Sequence, residues 1–78
     1  MLALAEIVYR ELVHYLGPHT SRTAVKTFCL RALNKPPESL TKTDMPTLLL
    51  AMRPMLRTLI GAEETEEVLS HLRFELGL

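Results

Sequence analysis

Three histidines, one cysteine, three serines and a run of glutamates are the side chains here that could do chemistry. A metal centre wants two ligands on one helical face or a close cysteine pair, so that donors converge without strain. His14 and His19 are separated by Gly17-Pro18, His71 stands far along the chain, and Cys29 has no second cysteine. No metal site is expected. A phosphotransfer histidine stands mid-helix beside a lysine and a small residue, whereas Tyr15 and Leu16 follow His14, and Leu72 and Arg73 follow His71. Nucleophilic catalysis needs a serine or cysteine with a base and an orienting acid. Ser21, Ser39 and Ser70 carry no such surroundings in sequence. Glu63-Glu64 and Glu66-Glu67 read as the acidic first turns of a helix, where the macrodipole favours negative charge. The expectation is a protein without catalytic residues, metal or cofactor.

Cations are the other candidates. The segment GPHTSRTAVK brings hydroxyls, a helix start and Arg22 together, an arrangement suited to an anion. Arg22 and Lys26 lie one turn apart, as do Arg53 and Arg57, and the four would form one basic patch if their helices are neighbours. Nine Lys and Arg balance nine Asp and Glu. That neutrality removes the long-range attraction most nucleic-acid binders use. A patch of this kind is then better matched to the acidic turns Glu63–Glu67 of a second copy than to phosphate. The alternative is a helix-turn-helix DNA-binding regulator, with Gly17–Thr20 as the turn and Ser21–Leu33 as the reader presenting Arg22, Thr23, Lys26, Thr27 and Arg31.

The elements that must position these residues are all helical. Residues 1–78 are one domain by length, and a core without tryptophan, built from Leu, Met, Val, Ile and Ala, suits helices. The spacing predicts a first helix over Leu2–Leu16, closed by Gly17 and Pro18. A second begins near Thr20 or Ser21, buries Val25, Phe28, Cys29, Ala32 and Leu33, and stops at Asn34 before Pro36-Pro37. A loop follows, with Leu40 tucked into the core. The third starts at Thr43 or Asp44, and Met45, Leu48, Leu49, Met52, Met55, Leu56 and Leu59 form its broad apolar face. Pro54 costs about 3 kcal/mol in a helix interior and predicts a kink there. Gly61 closes it, and the fourth helix, Ala62–Leu76, buries Val68, Leu69, Leu72 and Leu76. The expected fold is all-α, a compact four-helix bundle or orthogonal helical array, without internal repeat. Cys29 reads as a small buried hydrophobe, and a lone cysteine fits a reducing compartment. No run is long and apolar enough to span a bilayer, and no secretory leader is evident, so a cytoplasmic location is expected.

Apolar residues also fall outside any single buried stripe: Leu4, Ile7 and Val13, then Leu50, then Phe74 and Leu78. A domain this small buries only about 60–65% of its unfolded surface, so these six are expected to be covered by another polypeptide. Met45, Met52 and Met55 would suit an adaptable contact surface, although core filling is their commoner use. The expected function is a protein–protein interaction or oligomerisation module, as a homodimer or half of a hetero-complex. Nucleic acid and membrane are not the expected partners.

The succession YLGPHTSRTAV, a second helix, SLTKTDMPTLL, MRPMLRTLIG and a short acidic helix resembles small helical modules appended to bacterial signalling and regulatory proteins. The likeness spans most of the chain. It implies an interaction role in a bacterial cytosolic pathway and carries over no catalytic residue.

Overall fold

Two glycines set the architecture. The computed structural model describes residues 3–78; the expected helix start at Leu2 lies outside them. Gly17 has φ 79°, ψ 168° and Gly61 has φ 86°, ψ 164°, a region essentially restricted to glycine. Each turns the chain from one helical run straight into the next, with no loop between.

The described residues form three α-helices and no strand: α1 (Leu4–Leu33), α2 (Met45–Ile60) and α3 (Ala62–Leu76). The expected boundary between the first two helices falls inside α1, as a backbone break at Gly17 with no loop. Pro18 explains the absence of a loop. At a first helical position its missing N–H costs nothing, so the helix resumes at once instead of waiting for Thr20 or Ser21. Ser21 therefore lies inside the helix and is fully buried, not a cap. Asn34, at φ 54°, ends α1 as a left-handed terminus, with its N–H donating to the Leu30 carbonyl at 3.0 Å. Gly77 ends α3 likewise, with paired bonds from Gly77 and Leu78 back to Phe74 and Arg73.

Two short 3₁₀ turns, Pro37–Ser39 and Lys42–Asp44, lead into α2. Asp44 does not cap α2 with its side chain. Its carboxylate folds back to accept from the Thr41 N–H and hydroxyl at 3.0 and 2.9 Å, and from Lys35 Nζ at 2.7 Å. The Lys35 bond, then the Thr41 N–H, lowers its pKa to about 2. No break interrupts α2 at Pro54, where the sequence predicts a kink. Leu50 and Pro54 both lie on the exposed side, so water can serve the carbonyl that Pro54 leaves without a donor.

All three helices pack on one another. Val8, Leu12, Cys29, Leu48, Leu56 and Leu72 are fully buried, and Leu40 packs against them from the connecting segment. Met45 and Met52 are core fillers with no exposed surface, and Met55 is half-buried.

The residues around the two glycine corners correspond in part. Gly61 and Thr65 lie 44 residues after Gly17 and Ser21 (from 17 to 61, from 21 to 65). Both glycines share one backbone conformation, and both hydroxyl residues are fully buried four positions on. Thr65 Oγ1 donates to the Gly61 carbonyl at 2.7 Å. At the same offset Val8, Leu12, Ala24 and Val25 correspond to Met52, Leu56, Val68 and Leu69, all buried. The chain is thus two helix–glycine–helix units joined by residues 35–44.

Candidate functional site

The six apolar candidates divide. Leu4 and Ile7 are half-buried and pack on the core. Val13 is half-buried. Leu50, Phe74 and Leu78 are exposed at 66%, 83% and 44%. Two exposed leucines escaped the pattern. Leu30 is 60% exposed, and Leu59 is 52% exposed despite its place on the expected buried face of α2. Leu59 opens onto a shallow apolar groove with Met55, Phe28 and Thr27. Leu30 shares the polar stripe of Lys26 and Thr23, where a single leucine gives no periodic signal.

The four basic candidates do not form one patch. Arg53 Nη1 donates to Glu66 Oε2 at 2.7 Å and Arg57 Nη2 lies 3.8 Å from the same oxygen. The acidic turn of α3 is gripped by α2 of the same chain, because the Gly61 corner lays the two helices side by side. Arg22 is elsewhere, its guanidinium carbon 4.3 Å from the centroid of the Tyr9 ring, a cation–π contact across the Gly17 corner. Arg22 and Lys26 line a groove of about 370 Å³ with Tyr9, Glu6, Pro36 and Glu38. Two carboxylates among its walls offset the two cations, so the groove has no strong preference for anions.

One ionic cluster has no counterpart in the sequence reading. Glu11 is buried in α1, and its Oε1 lies 2.6 Å from His71 Nδ1 on α3. His71 Nε2 lies 3.4 Å from Glu75 Oε1, one turn further along. The three donors fall within 4.8 Å of one another. The imidazole presents opposite edges to the two carboxylates, so the arrangement is a bridge through the ring, not three donors converging on one point. Its physical role is to pair a buried carboxylate that would otherwise be costly. Tyr15 lies against this cluster; burial, then Glu11, Glu67 and Glu64, push its phenol up. The Glu11–His71 pair spans 60 residues, beyond the reach of any local pattern. Arg53–Glu66, by contrast, was accessible from the Gly61 turn.

Cys29 is fully buried, and burial, then Asp44 and Glu38, raise its thiol pKa. It is a protonated core side chain, unsuited to nucleophilic attack. His14 and His19 are exposed. No helix of the described residues is long and apolar enough to cross a membrane. No family model, no curated protein and no solved structure matches this chain.

Proposed function

We propose that this chain is a non-enzymatic interaction module, acting in a homodimer or a hetero-complex of a cytosolic regulatory assembly of the bacterial kind its sequence resembles. The supporting observation is Phe74. A phenyl ring 83% exposed in the last turn of a regular helix, with exposed Leu78 four residues on, is costly to leave in water and is the kind of side chain that anchors interfaces. Leu50, Leu30 and Leu59 add apolar surface on the other helices. A photoreactive phenylalanine analogue at position 74 tests the reading in living cells. Discrete protein adducts from position 74, absent from the same analogue at Glu63, support it. Equal labelling at the two positions overturns it.

A DNA-binding regulator is the second reading. Residues 18–33 carry Arg22, Lys26 and Arg31 with no carboxylate, which favours it. Arg53 and Arg57 are engaged by Glu66, and the total charge is zero, which weighs against it. A salt-dependent gel shift lost in the Arg22→Ala, Lys26→Ala double variant would promote it above the first.

A further inference from the structure

We propose that the occupant of the outward face of α3 is a second copy of this chain, docked through the outward face of its residues 18–33. The inference rests on the interaction-module reading and names its partner. Leu30 and Phe74 stand the same distance after the two corner glycines, separated by the same 44 residues (from 30 to 74). Both are exposed, at 60% and 83%. At about 100° per residue, each points away from the core side of its own helix.

Charge supplies the complementarity. Residues 18–33 hold three cations and no carboxylate, whereas α3 holds five glutamates against Arg73 alone. Internal pairing takes Glu66 and Glu75 on α3, and Arg22 stacks on Tyr9. Among the described residues, Lys26 beside Leu30 and Glu67 on the stripe of Phe74 have no ion-pair partner. With the two helices laid parallel and Leu30 opposite Phe74, Lys26 stands level with Ser70 (from 26 to 70), and its long side chain reaches toward Glu67 one turn earlier on α3. Opposite potentials fix this register and disfavour basic face on basic face or acidic on acidic. Zero net charge leaves no overall repulsion between copies. Because the two faces differ, the contact is heterologous, and copies add head to tail or close into a ring.

Sedimentation velocity of the purified chain, from micromolar to near-millimolar concentration at low salt, tests this. The wild type is expected to grow in size with concentration and to shrink back as salt is added. Lys26→Glu alone and Glu67→Lys alone are each expected to sediment as monomers, and their equimolar mixture to associate again, since each supplies what the other lost. Both positions are exposed, and unchanged far-UV circular dichroism confirms folding of each variant. A wild type monomeric throughout, or a mixture that stays monomeric, overturns the proposal. Such a failure, together with adducts to a different protein from position 74, would leave the module reading standing and remove only the second copy.

Discussion

Phe74 and Leu72 stand two residues apart on α3 and should behave as opposites. Full burial of such a side chain contributes about 1.5–3 kcal/mol. Phe74 keeps 83% of its surface in water, so the folded protomer draws only about 0.3–0.5 kcal/mol from it. Phe74→Ala is therefore expected to leave monomer stability within about 0.5 kcal/mol of wild type. Leu72 is fully buried, and Leu72→Ala should cost about 2–5 kcal/mol, transfer and cavity together. Total stability for a chain of this length is about 4–12 kcal/mol, so the second variant approaches unfolding while the first does not. Urea denaturation followed by far-UV circular dichroism, at protein concentrations low enough to hold the chain monomeric, reads both. A loss above about 1.5 kcal/mol for Phe74→Ala would place the ring inside the protomer and remove the main support for an interaction surface.

Gly61→Ala should cost about 1–3 kcal/mol through backbone strain alone, because an added Cβ meets nothing within 4 Å; Gly17→Ala should match it, and a neutral result at either in chemical denaturation would contradict the shared corner geometry. The Asp44 pKa is lowered from 3.8 to about 2 in the folded chain, so its contribution is complete above the unfolded value and is lost as pH falls through the folded one. Asp44→Asn should melt below wild type at neutral pH, with the gap closing between pH 4 and pH 2; a gap that persists at pH 2 in thermal melts refutes the assignment.

Sequence patterning reached the all-α class and most helix ends, because these depend on residues with singular backbone behaviour. Gly17, Asn34 and Gly61 each hold positive φ, and each reads as a helix terminator. The stripe Met45, Leu48, Leu49, Met52 and Leu56 is buried as its spacing predicts. Reading ran out where tertiary context decides. Leu4 and Ile7 look surplus within one helix, yet neighbouring elements cover them. Leu59 lies on the predicted face of α2, yet the groove it lines with α1 stays open and leaves it 52% exposed. Pro18, whose ring stops the first run, begins the next one. The partial correspondence of the two corners lies in glycine backbone and nearby burial rather than in residue identity: Ser21 stands for Thr65, Ala24 for Val68.

The exposure of Phe74 follows from how firmly the rotation of α3 is held. Val68, Leu69, Leu72 and Leu76 occupy its inner side and are buried. His71 on one flank is tied to Glu11 of α1, and Glu66 on the other is tied to Arg53 of α2. Turning α3 far enough to bury Phe74 would break both ties and leave Glu11 buried without a partner, a loss of several kcal/mol for a desolvated carboxylate. It would also expose leucines worth about 1.5–3 kcal/mol each. Burying one ring cannot repay that. The helix is therefore fixed with Phe74 in solvent, and relief for the ring has to come from outside the protomer. The same reasoning assigns a use to the Glu11–His71 contact: it sets the orientation in which α3 presents its outward face.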